Sequence, residues 1–308
     1  MKLVAVGTVA FDSIETPFAK REKVIGGAAT YITLAASHFV NECGLISVIG
    51  DDFPTDVLRE MESRGIDQSG LQTKVGEKSF YWSGRYHYDL NSRDTLITDL
   101  NVLAGFDPVV PEKYKNCDFL MLGNLAPSVQ MRVIEQIEER PKLVVMDTMN
   151  FWMNIAMSEL LKVIEKVDVL TINDEEARQL AGEYSLVKAA RKILTMGPKY
   201  LIIKKGEHGA LLFDDKSIFF APALPLEEVV DPTGAGDTFA GGFVGMLAQS
   251  KNISFENMKR AVIVGSAMAS FACEKFGPER LFELSKAEIN QRIEEFVALT
   301  DFDIMLEG

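Results

Sequence analysis

The feature that most restricts the fold is a set of short runs that are apolar throughout. They lie at Lys2–Gly7, Leu45–Gly50, Asp118–Gly123, Lys142–Asp147, Asp168–Asn173 and Tyr200–Lys204. A strand apolar on both faces is buried on both faces, which is the condition of a parallel sheet between helix layers. Helical patterns at about 28–40, 53–64, 128–139, 156–165, 174–181, 185–196, 237–249, 255–275 and 286–298 supply those layers. The pattern predicts an α/β protein with a doubly wound, mainly parallel sheet flanked by helices. Ligands of such sheets bind beyond the carboxyl ends of the strands. That places a site among Gly7–Asp12, Gly123–Asn124, Asp147–Asn150 and Asn173–Glu176.

One region breaks the rhythm. From about 70 to 100 aromatics alternate with polar residues: Phe80, Trp82, Tyr86 and Tyr88 on one face, Tyr81, Ser83, Arg85, His87 and Asp89 on the other. The segment reads as antiparallel strands projecting from the α/β body, joined by Phe11–Ile25. The expectation is one domain over 1–308 with a small β-sheet lid formed by about 11–25 and 70–100. Such a sheet has two uses, a cover for a site and a dimerisation surface, and both together predict a homodimer through the lid.

Several function classes are excluded early. The chain has 308 residues and is 47% apolar, enough for a large core, yet no apolar run approaches the roughly 20 residues of a membrane-spanning helix. The start, MKLVAVGTVAFD, lacks a signal-peptide layout, so a soluble cytoplasmic protein with no membrane partner is expected. Cys43, Cys117 and Cys273 are scattered and odd in number, which suits reduced thiols. A net charge of −13 argues against nucleic acid, whose phosphates require a basic footprint.

The segment carrying chemistry is EEVVDPTGAGDTFAGGF, residues 227–243. Its glycines open a helix, leaving the N–H groups of Gly234, Ala235 and Gly236 unpaired beside the positive end of the helix dipole, an anion site. Asp237 beside that site has two readings. It caps the helix, or it accepts the proton of an attacking hydroxyl. A Walker-type G-x-x-x-x-G-K-[ST] and a dinucleotide G-x-G-x-x-G are both missing from the sequence.

Asp231-Pro-Thr-Gly-Ala-Gly-Asp237 followed by Thr-Phe-Ala-Gly-Gly resembles the C-terminal signature of the ribokinase-like, or PfkB, carbohydrate kinases. Gly26-Gly27, Asn173-Asp-Glu-Glu176 and Lys205-Gly-Glu-His-Gly209 resemble three further motifs of that family, in its order and spacing. The resemblance implies ATP as donor, Mg2+, and transfer to a primary hydroxyl of a sugar-like acceptor. It makes Asp237 the base, with Gly234, Ala235 and Gly236 as the anion hole. Asn173, Lys205, Gly206 and Gly209 fall on the nucleotide side, and Glu176 on Mg2+ through water. Asp231 resembles part of a monovalent-cation loop, which leaves K+ open as an activator.

On the acceptor side the resemblance implies Asp12, Gly26 and Gly27; Arg85 and Asn150 join them by position alone. Asn173 and Glu176 also read as a simple capping box, and residues 205–209 as a hairpin turn. Tyr31 departs from the family, many of whose sugar kinases carry asparagine there. A nucleoside kinase on the same scaffold is therefore the alternative, with aromatics against a base. A non-catalytic ligand sensor is a more remote one.

Overall fold

The computed structural model describes residues 2–301. Its centre is a nine-stranded sheet. The strands are β1 (Leu3–Val6), β4 (Cys43–Gly50), β5 (Ile66–Lys74), β8 (Phe119–Leu122), β9 (Leu143–Asp147), β10 (Val169–Asn173), β11 (Tyr200–Lys204), β12 (Ala210–Phe213) and β13 (Ile218–Ala221). Their order is β13-β12-β11-β10-β9-β8-β1-β4-β5, parallel throughout except for the antiparallel pairs β11–β12 and β12–β13. The apolar runs of the sequence are these strands, and the period of two sorts each onto both helix layers. Val4, Val6, Leu120, Leu122, Val144 and Met146 face one layer; Leu3, Ala5, Phe119, Met121, Leu143 and Val145 face the other.

The first layer holds α3 (Pro127–Gln136), α5 (Met157–Ile164), α6 (Asp174–Ala181) and α7 (Leu186–Leu194). The second holds α1 (Ala28–Ser37), α8 (Ala235–Ser250) and α9 (Phe255–Ala272). Phe243 of α8 is fully buried against the sheet, and truncating such a side chain costs about 3–5 kcal/mol. The remaining helices are α2 (Thr55–Ser63), α4 (Asn150–Ile155), α10 (Glu279–Glu283) and α11 (Lys286–Thr300). Strand β13 and the short α4 and α10 were not predicted. Each spans four to six residues, too few for a period to show.

The second sheet is the lid, formed by β2 (Ala10–Glu15), β3 (Lys20–Gly26), β6 (Phe80–Tyr86) and β7 (Arg93–Asp99) in the order β3-β2-β6-β7. Two expectations need correction. Residues 70–74 belong to β5, which pairs parallel with β4 at the edge of the main sheet. Half-buried edge strands alternate just as lid strands do, so local pattern did not separate them. The lid is also mixed rather than antiparallel, because β2 runs parallel to β6. The chain returns through the main sheet between those two strands, so β6 re-enters from the same side as β2. Among the described residues no helix is long and apolar enough to cross a membrane, and all three cysteines are free.

Candidate active site

The N-terminus of α8 lies by the carboxyl ends of β9 and β11: Gly236 stands against Lys204, and Asp237 feels the charge of Asp147. The turn before it is set by Gly234, at φ 76°, whose missing side chain leaves room for the Tyr31 ring. Of the expected anion-hole donors, Ala235 is corrected. Its N–H donates to the Pro232 carbonyl at 3.2 Å, closing a turn. The N–H groups of Gly234, Gly236 and Asp237 have no partner among the described residues. They are the donors left for an anion.

Asp231 braces this turn from beneath. Its buried carboxylate accepts the Thr233 N–H at 2.8 Å and the Gly277 N–H at 3.0 Å. The hydroxyl of Thr233 donates to Tyr86 of the lid at 3.1 Å. Asp237 sits in the first turn of α8, and no side-chain hydrogen bond caps that helix. Burial, then the charge of Asp147, raises its carboxyl to about 7, against the opposing pull of Lys204 and Arg93. A carboxyl near 7 is matched to general-base work at neutral pH.

Beneath Asp237 lies a polar floor. Asp147, the last residue of β9, is buried. Its Oδ2 accepts Lys204 Nζ at 2.5 Å and Thr171 Oγ1 at 3.0 Å, while Oδ1 accepts the Thr148 N–H at 2.8 Å. Asn173 and Glu176 form a full capping box on α6: Asn173 Oδ1 accepts the Glu176 N–H and Glu176 Oε2 accepts the Asn173 N–H, each at 2.8 Å. The helix-cap reading of this pair is therefore realised in the structure. Glu176 is nonetheless buried beside Asp147, and burial, then that neighbour's charge, raises it to about 7. Its second oxygen takes no protein donor among the described residues. Among the described residues no three metal-binding side chains converge there, and a buried carboxylate with one open oxygen fits a hydrated divalent cation held through water and phosphate.

On the opposite side Asp12 of β2 lies 5% exposed between the lid and the start of α1. Burial, then Asp231 and Asp237, raises its carboxyl to about 7, while the Gly27 N–H and Arg93 pull the other way. Gly26 and Gly27 lead into α1, with Gly27 as its N-cap. The buried Tyr31 hydroxyl has no hydrogen-bond partner among the described residues and feels Asp231, Asp12 and Asp237. A buried hydroxyl without a partner is uncommon in a folded protein.

The lid decides the rest. Pairing of β2 with β6 puts Asp12 opposite Trp82, and pairing of β6 with β7 puts Tyr86 opposite Arg93, so these side chains share the inner face. Arg93 lies over the Trp82 ring, with its guanidinium carbon 5.9 Å from the centroid. It forms no ion pair among the described residues, and its charge is felt by Asp12, Glu176 and Asp237. At the lid tip the Asn91 amide oxygen closes against Gly206 of the 205–209 turn. The lid thus reaches both the acceptor side and the nucleotide-side turn.

Arg85 is a correction. It lies on the outer face and donates to Glu15 Oε1 at 2.7 Å, away from the cleft. Tyr88 lies beyond β6 in the loop, 81% exposed and edge-on to Phe18. Asn150 is exposed at the start of α4. Lys205 is half-buried, and its backbone N–H bonds the Gly209 carbonyl at 2.8 Å. The residues missed are Lys204 and Arg93; Asp147 was placed near the ligand site by the sheet topology but given no role, and Tyr31 was weighed on the acceptor side. Lys204 ends a strand, as Asp147 does, so the same sheet-topology signal was available for it. The facing of Arg93 depends on a register shift between Ser83 and Gly84, which the sequence does not display.

With this geometry in view, the comparisons are concordant. Residues 2–283 match the model of the pfkB family of carbohydrate kinases. The chain belongs to that family. It is 31% identical over 248 residues to the cytidine kinase of Thermococcus kodakarensis, covering 79% of this chain and 87% of that one. It is 26% identical over 307 residues to the nucleoside kinase of Methanothermobacter thermautotrophicus, covering 90% and 91%. Its fold matches the nucleoside kinase of Methanocaldococcus jannaschii with a TM-score of 0.75 at 20% identity over 96% and 98% of the two chains. It also matches an E. coli protein assigned as ribokinase II, solved with ATP and Mg2+, with a TM-score of 0.79 at 20% identity over 96% and 99%.

Proposed function

We propose that this kinase transfers the terminal phosphoryl group of ATP to the primary hydroxyl of an uncharged ribosyl acceptor, a nucleoside, with Asp237 as base. The observation that carries the reading is the pairing, at one helix start, of N–H groups at Gly234, Gly236 and Asp237 that have no partner among the described residues with an Asp237 carboxyl raised to about 7. The donors face anionic oxygen, and the carboxylate takes the proton of the acceptor hydroxyl. Mg2+, when bound, neutralises charge on the ATP phosphates. Glu176 would orient its water shell.

Two features favour an uncharged acceptor. Asp12, Asp147, Glu176 and Asp237 face the cleft against the cations of Lys204 and Arg93, so an acceptor phosphate would meet repulsion. Trp82 on the inner lid face and the cytidine kinase relative favour a base-bearing acceptor over a free sugar. The test is ADP release from MgATP across nucleosides and free sugars. Cytidine or another nucleoside is expected to lead. Turnover with sugars alone would favour the sugar kinase reading, and none with any acceptor would favour a sensor.

Three finer readings accompany this one. The outer lid groove lined by Tyr81, Leu96 and Ile97, the last two nearly half exposed, is read as the contact with a second copy of the chain. Sedimentation of Ile97→Asp against the parent checks it, with a shift to monomer expected. K+ activation through Asp231 is read from rates in K+ against tetramethylammonium. A cytoplasmic location fits ATP as donor, and cell fractionation checks it.

A further inference from the structure

Lys204 is the last residue of β11, and its ammonium is mostly buried. Asp147 is its hydrogen-bond partner among the described residues, at 2.5 Å, and Asp147 is itself held by Thr171 and Thr148. An ammonium has three donors, so two are without a partner among the described residues. Nζ itself lies against the glycine turn, 3.1 Å from where a β-carbon on Gly236 would stand. A cation with two donors unpaired among the described residues is therefore set against the turn whose Gly236 and Asp237 N–H groups are likewise unbonded among them.

We propose that Lys204 is a second catalytic group, contacting the phosphoryl group in transfer, and that Asp147 is the residue positioning it. The proposal rests on the kinase reading above. In the step, the acceptor O–H proton passes to the Asp237 carboxylate and the acceptor oxygen bonds phosphorus. The bond from phosphorus to the β,γ-bridging oxygen breaks, and its electron pair leaves with ADP. Lys204 keeps its proton throughout and stabilises charge on the phosphoryl oxygens, as preorganised cations do in phosphoryl transfer. Burial pulls the ammonium down, but Asp147, Glu176 and Asp237 together hold it above its ordinary value. It is a fixed charge and not a proton shuttle.

A buried ion pair has a bland use, to lock β9 to β11, and the experiment must separate the two. Lys204→Met is compared with the parent for kcat, and by calorimetry for ATP and ADP affinity, both with Mg2+ and in EDTA. The expected result is a kcat lower by about 10²–10³-fold. ATP affinity should fall more than ADP affinity in both conditions, because the contact is with the terminal phosphate. Lys204→Met alone strands a buried carboxylate, so the double variant Asp147→Asn/Lys204→Met is made as well. A structural pair predicts that the double variant regains both melting temperature and turnover. A catalytic lysine predicts that stability returns and turnover does not. Near-parental kcat in a folded single or double variant overturns the proposal, as does an equal fall in ATP and ADP affinity. A parent that binds neither nucleotide nor turns over any acceptor overturns the kinase reading itself.

Discussion

The Asp12 carboxylate occupies the space that a β-carbon on Gly26 would need. The two residues sit on paired strands, β2 and β3, and the bare Cα of Gly26 lets the carboxylate fold back towards the start of α1. Gly26→Ala is expected to displace Asp12 while leaving the α8 turn intact. Misplacing a substrate-positioning group by about 1 Å costs roughly 10²-fold, so kcat/KM for the acceptor should fall by that order. Nucleotide affinity should stay near parental in calorimetry.

Asp237→Asn keeps size and removes the proton acceptor. It is expected to lose about 10²–10⁴-fold in kcat with ATP affinity retained. In the parent the base must be ionised, and its carboxyl lies at about 7. The rate should therefore drop as pH falls through about 7, and the residual rate of Asp237→Asn should lose that inflection. A pH–rate profile from 5.5 to 8.5 reads both.

Stability should run the opposite way from the usual carboxylate case. Asp12 and Glu176 rise in the folded state from 3.8 and 4.5 to about 7. Between about 4 and 7 the folded chain holds protons that the unfolded chain has released, so stability falls as pH rises through that window. The melting temperature without nucleotide is expected to be higher near pH 5.5 than near pH 8. Asp12→Asn should flatten the slope.

Tyr31→Phe removes a buried hydroxyl with no partner among the described residues. Since an unsatisfied buried donor costs about 1–3 kcal/mol, the melting temperature should hold or rise. The same hydroxyl faces the Asp12 side of the cleft, so the acceptor KM should increase. A lowered melting temperature with unchanged KM would assign it to packing alone.

Arg93→Ala should change thermal stability little, because the residue is exposed, forms no ion pair among the described residues and has only its stacking on Trp82 to lose. Turnover should fall about 10- to 100-fold, the scale of one hydrogen bond to a charged group, about 1.5–3 kcal/mol. Arg85→Ala, on the other lid face, should leave kcat near parental.

The sequence alone determined the α/β class, the parallel strands, the helix start at the glycine turn and the identity of Asp237, because each is written in local periodicity or backbone freedom. Asn173 and Glu176 were likewise legible, since a cap is a three-residue event. What only the tertiary structure decided was which charges meet. Lys204 rather than its neighbour Lys205 reaches the turn, and Arg93 rather than Arg85 enters the cleft. Strand position sets the face of a side chain, and in the lid a shift of register between Ser83 and Gly84 fixes which residues point inward. Asp147 became visible as the partner of Lys204 only when β9 and β11, 57 residues apart at that pair, were brought either side of β10.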